Sequence, residues 1–157
     1  MKVHRILAGL AIAGTLSTGT YAQTAKPALD YSSAETIRET CLKWASEHDL
    51  QIVIAVMDAH GMLVTYAHMD GVKPGVGEVA QWKAKSSSKY GRSTGAFASL
   101  SPPVNMPNVA TIRGGVPIYT KNGVLLGGVG ISGAKSEDDA ACGTAGVEAA
   151  GLTTAAP

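Results

Sequence analysis

Ile52-Val53-Ile54-Ala55-Val56-Met57-Asp58-Ala59-His60-Gly61 opens the stretch that decides the fold. The run Ile52 to Met57 is apolar without alternation, so both of its faces need cover, which predicts a central strand of a sheet. Asp58 to Gly61 supplies turn chemistry, an Asp that bonds its own downstream backbone and a Gly free to take positive φ. The next run, Met62 to Met69, alternates. Leu63, Thr65, Ala67 and Met69 fall on one side, and Val64, Tyr66 and His68 on the other. Two strands with a short turn between them make a hairpin, hence an antiparallel sheet that needs helices on its faces.

Working outward, Ser32 and Glu35 have the spacing of a capping box, and Ala34, Ile37, Cys41, Trp44, Ala45 and His48 then share one helical face. Beyond the hairpin, a second helix is expected from about Gly77 to Tyr90. Its face of small residues includes Ala80, Lys83, Ala84 and Ser87. Lys83 is the anomaly there, because burying an unpaired ammonium costs several kcal/mol, so it must snorkel or find an anion. From Arg92 to Thr111 the periodicity breaks down, and Pro102, Pro103 and Pro107 predict an irregular loop. Extended character resumes from Arg113 to Tyr119, and Asn122-Gly123 is a hairpin turn. Val124 to Ser132 is a strand whose glycines imply close approach of another backbone or a ligand. Ser136 is read as the cap of a last helix with Glu137, Asp138 and Asp139 in its first turn. Ala141, Ala145, Val147 and Ala149 are read as its packing face, and the tail from Gly151 as irregular. The fold class is α/β, more narrowly α+β.

The chain has 157 residues, which favours one domain. Lys2 and Arg5, the apolar Ile6 to Leu16 and the small residues flanking Tyr21 predict a signal peptide over 1–22. Its apolar part is too short for a stable membrane anchor. A single domain over 23–157 is then exported, to a periplasmic or secreted location. Loss of Lys2 and Arg5 takes the net charge from +1 to −1, and with no basic stripe nucleic acid is not an expected partner. An oxidising compartment permits a bridge between Cys41 and Cys142, but free buried cysteines fit the same pattern, and Cα spacing decides between them.

The Gly-rich strand is not a nucleotide motif, since no G-x-G-x-x-G joins a strand to a helix. Ser132, His68 and Asp70 could be drawn as a hydrolytic triad, but no G-x-S-x-G elbow supports it. The stronger constellation is His68, Asp70, Lys83 and Arg113. Residues two apart on an extended chain point to one side, which groups His68 with Asp70. Two cations beside them could hold an acidic ligand, a carboxylate or a haem propionate, and His68 could serve as a metal donor. The competing reading pairs Asp70 with Lys83 to hold the hairpin against the second helix.

Six blocks carry a resemblance to the GlcG/HbpS family, often described as haem-binding or haem-degrading-like. They are Val53 to Gly61, His68-Met69-Asp70-Gly71, Lys83-Ala84, Gly114 to Ile118, Gly128 to Gly133 and Asp139 to Gly146. The resemblance implies a profilin-like antiparallel sheet flanked by helices and homo-oligomeric assembly. Members of that family are linked to haem binding, and with the constellation above this makes a small-molecule ligand, haem or a related tetrapyrrole leading, the expectation, with His68, Asp70, Lys83, Arg113, Gly114 and Gly115 as its candidate binding residues. The alternative is an enzyme for a small carboxylate or hydroxylated metabolite, with Lys83 or His68 in acid–base work and Arg113 orienting the substrate. The chain departs from the family pattern at His68, where Arg is usual, and across Ala96 to Ala110.

Overall fold

The computed structural model describes residues 23–157, so the leader expected over 1–22 lies outside the described residues. The elements run α1 (Tyr31–Glu47), β1 (Val53–Asp58), β2 (Leu63–His68), α2 (Pro74–Tyr90), α3 (Thr94–Leu100), β3 (Gly115–Tyr119), β4 (Leu125–Ser132) and α4 (Ser136–Ala149). The strands form one antiparallel sheet in the order β2-β1-β4-β3. The hairpin places β1 centrally, and all but the last of its residues are buried.

Alternation along the strands divides the two layers. Ile54 and Val56 of β1, Val129 and Ile131 of β4, and Val116 and Ile118 of β3 pack with α1 and α4 in the main core. The intervening Ala55 and Met57 meet Ala84 of α2 on the opposite face. In β4 the positions facing α2 are glycines. A Cβ on Gly130 would collide with the carbonyl of Ala80 and the backbone of Ala84, and one on Gly128 would lie 2.8 Å from the Ala84 carbonyl. The close approach implied by the Gly-rich strand is therefore that of the α2 backbone.

Several local expectations are corrected. The first helix begins at Tyr31, because Asp30 caps it by accepting from the Ser33 N–H at 2.7 Å. That contact holds the Asp30 carboxyl below its ordinary value. The second helix starts at Pro74, where a proline in the first turn loses no hydrogen bond. Within the segment expected to be irregular, Thr94 to Leu100 is helical, capped by Ser93 accepting from Ala96. Lys135, not Ser136, precedes the last helix, whose packing face is Cys142, Gly143, Gly146 and Val147, with Ala141 and Ala149 exposed. The tail is not irregular throughout, since Thr153 exchanges two backbone hydrogen bonds with Tyr119 at the β3 edge.

Cys41 and Cys142 form a disulfide, with Cα atoms 4.9 Å apart, that joins α1 to α4 across 101 positions of sequence. Both cysteines are buried in the main core.

Candidate functional site

Lys83 lies on the face of α2 that packs against the sheet, and it finds its anion inside the protein. Its Nζ donates to the Ile131 carbonyl at 2.8 Å and to Oδ2 of Asp139 at 2.9 Å, and both side chains are almost fully buried (1% and 2% exposed). The other carboxylate oxygen of Asp139 accepts from the Ala134 N–H at 3.2 Å. Burial pushes the Asp139 carboxyl above its ordinary value, opposed by the hydrogen bond and charge of Lys83. Asp70, the partner in the competing sequence reading, is exposed at the end of β2, so a contact with the buried Lys83 is replaced by the one with Asp139.

Gly114 sits directly over this pair. Its φ is +116°, and a Cβ there would lie 2.6 Å from the Ile131 carbonyl, 2.7 Å from Lys83 Nζ and 2.8 Å from Cβ of Asp139. Glycine is required on both counts. The Gly114 carbonyl in turn accepts from the Ile131 N–H at 2.9 Å. The turn into β3 is thus clamped from below, and it presents Arg113 outward.

Above the clamp is a cleft of about 480 Å³ between α3, β3, α4 and the C-terminal tail, lined by Arg113, Gly114, Gly115, Ser93, Thr144 and Thr154 among others. Arg113 is its only charged lining residue among the described residues. The guanidinium contacts Glu137 at 3.2 Å, but both side chains are more than half exposed (59% and 69%), so this pair contributes little and exchanges with solvent. A carboxylate entering the cleft would meet this cation in competition with the exposed Glu137, with hydroxyls around it.

His68 and Asp70 are not at this cleft. His68 Nε2 donates to the Val72 carbonyl at 2.8 Å, which leaves Nδ1 to accept from the Tyr66 hydroxyl at 3.1 Å. The ring packs by the first turns of α2, where a Cβ on Gly77 would lie 2.5 Å from the Tyr66 hydroxyl oxygen. Of the expected constellation, the structure therefore groups Arg113, Gly114 and Gly115 at one cleft, puts Lys83 beneath them, and sets His68 and Asp70 apart. Among the described residues no three or more His, Cys, Asp or Glu side chains cluster to hold a metal ion. Ser93, Thr144 and Thr154 carry no signal in the sequence reading, which takes Asp139 only as a first-turn acid of the last helix and the start of a family block. Asp139 had a usable signal: it stands at three- and four-residue steps before Cys142, Gly143 and Gly146 on the packing face of α4.

Comparison with known proteins adds the following. The family described as haem degrading protein HbpS-like matches residues 29–148. The structure of a PduOC–haem complex is 22% identical, with TM-score 0.76, covering 82% of this chain and 99% of that one. The ORFY protein of Klebsiella pneumoniae is 20% identical, TM-score 0.76, covering 85% and 98%. A double mutant of HbpS from Streptomyces reticuli is 23% identical, TM-score 0.74, covering 88% and 97%. At such identities the likeness speaks for the fold alone. No curated protein matches the sequence.

Proposed function

The chain belongs to the HbpS-like haem-degrading family, and from that premise we propose that it is an exported, oligomeric small-ligand-binding protein whose ligand is haem or a related tetrapyrrole. Arg113 carries the reading. It is a solvent-exchangeable cation at the mouth of a cleft of about 480 Å³, a volume typical of small-molecule sites. The donor set fits the acidic end of a haem: Arg113 would hold a propionate in charge-assisted hydrogen bonds, and the Ser93 and Thr144 hydroxyls would serve its neighbours. The lining holds no imidazole, thiolate or thioether, so iron ligation from this cleft is not part of the reading. A bound haem would supply a redox-active iron. This chain's own residues bind and orient carboxylates.

The Cys41–Cys142 disulfide supports export, because such bridges persist in oxidising compartments. The single domain over 23–157 belongs to the same reading. Self-association is supported by the edge strand β2, where Leu63 is 48% exposed and the adjoining Met62 66%. No described helix is long and apolar enough to cross a membrane. Titration of the purified protein with haemin tests the ligand: a saturable Soret shift is expected, and a flat titration at micromolar protein removes the reading.

The alternative, an enzyme for a small carboxylate or hydroxylated metabolite, is favoured by the cleft's hydroxyl lining and its lack of an iron donor. In it Arg113 orients the carboxylate. Lys83 and His68, the acid–base candidates, line no part of the cleft, so either must act after a rearrangement. Turnover on an identified substrate that survives both Lys83→Ala and His68→Ala would eliminate their roles.

A further inference from the structure

We infer that the protein has a second ligand site, for a neutral, flat, apolar molecule, in the cleft between Trp82 of α2 and the segment 101–111. This cleft measures about 470 Å³ and is lined by Trp82, Pro102, Pro103, Val104, Met106 and Val109, with a few small neighbours. Among the described residues no charged side chain lines it. It differs in kind from the cleft at Arg113, whose single cation selects acids, and it stands independently of the tetrapyrrole reading.

The walls are fixed in place although the segment has no regular structure over most of its length. The Tyr90 hydroxyl donates to the Pro107 carbonyl at 2.5 Å, and the Ala110 N–H donates to the buried Ser86 Oγ at 3.0 Å. Phe97, buried, meets the Tyr90 ring edge-on with centroids 5.3 Å apart, which ties α3 to the same helix. Two side-chain anchors on α2 therefore hold the segment beside Trp82, and the opening between them does not depend on a ligand to form.

The lining chemistry names the occupant. An indole and two proline rings offer flat apolar surface, and a thioether makes favourable contacts with aromatic rings. Val104 is fully exposed (108%) and Trp82 is 38% exposed, so apolar surface at the cleft is left in water until something covers it. A charged ligand would lose hydration there with no opposite charge, and only Ser101 and Thr111 as polar side chains, to replace it. A fused-ring aromatic without a formal charge matches volume, shape and polarity together.

The test uses Trp82 as the reporter. The chain has two tryptophans, and Trp44 lies on α1, stacked on His48 with ring centroids 3.9 Å apart, so Trp44→Phe leaves Trp82 alone. Aminoanthracene, a neutral fused-ring probe, is titrated into this variant while Trp82 emission and sensitised probe emission are read. A saturable, one-to-one quench is expected. Met106→Glu should weaken it by at least about tenfold by putting a carboxylate into the apolar cleft, Val104→Asp should weaken it less because that carboxylate sits at the solvent rim, and Arg113→Ala should leave it unchanged. The fully exposed Val104 keeps the second of these variants fit to fold. No saturable quench, or an affinity unchanged in both carboxylate variants, overturns the inference. So does sedimentation showing that the cleft is closed by a second copy and that the probe binds only on its dissociation. A flat haemin titration alongside normal probe binding removes the tetrapyrrole reading alone.

Discussion

Replacing Lys83 with Met tests the clamp beneath the Arg113 cleft. The substitution keeps most of the side-chain volume and removes the ammonium that donates to Ile131 and Asp139. Asp139 then stays almost fully buried with only the Ala134 N–H to satisfy it. Breaking one side of a buried pair costs about 3–5 kcal/mol, because the remaining charge is left uncompensated. A domain of this size loses roughly 10–20 °C in Tm for that energy. The double variant Lys83→Met, Asp139→Leu removes both charges and should recover most of the loss, since a well-packed apolar replacement of a buried pair is often neutral or stabilising. Thermal melts followed by circular dichroism, with denaturant titration as a check, give both values. A single variant that melts within a degree or two of the parent, or a double variant no better than the single, would refute the reasoning.

The other predictions follow from the same contacts. Cys41→Ala with Cys142→Ala opens a loop closed across 101 positions, and the chain-entropy argument sets the loss at up to about 4–5 kcal/mol, read by denaturant unfolding with and without reductant. Gly130→Ala drives a methyl into the α2 backbone and should cost at least about 2 kcal/mol, whereas the same change at Gly75, which faces open space, should be close to neutral. For pH, Asp139 has a native value raised above 3.8, so the native state binds this proton more tightly than the unfolded chain does. The matching stability is complete below about 3.8 and is lost as pH rises through the native value. The stability of the parent relative to Asp139→Asn should therefore fall across that window as pH is raised, and a difference that rises instead contradicts the burial argument.

Much of this architecture could be read from patterning, because strand alternation and turn chemistry are local. The unbroken run Ile52 to Met57 announced a strand covered on both faces, and Gly128 and Gly130 announced a backbone at close range. What local pattern could not supply was which distant groups meet. Lys83 needs an anion, and the sequence offers the nearby Asp70, 13 positions away; the packing of α2 on β4, which sets Lys83 at the Ile131 carbonyl, brings it to Asp139, 56 positions away. His68 and Asp70 do share a strand end, yet that end lies away from the turn that carries Arg113. The disulfide was undecidable for the same reason, since helix patterns say nothing of the 4.9 Å between the two Cα atoms. Cap residues failed differently: Asp30 and Ser32 are both competent caps two residues apart, and it is Asp30 that takes the Ser33 N–H, leaving Ser32 inside the helix.

The central claim, that Arg113 holds the carboxylates of a haem-like ligand over the clamped Gly114–Gly115 turn, is tested most directly by haemin titration of the parent and of Arg113→Ala. The parent should give a saturable Soret shift, and loss of a charge-assisted pair should weaken it on the order of tenfold or more, with the melting temperature unchanged because Arg113 is more than half exposed. A flat parent titration, or equal affinity in the two proteins, would contradict it.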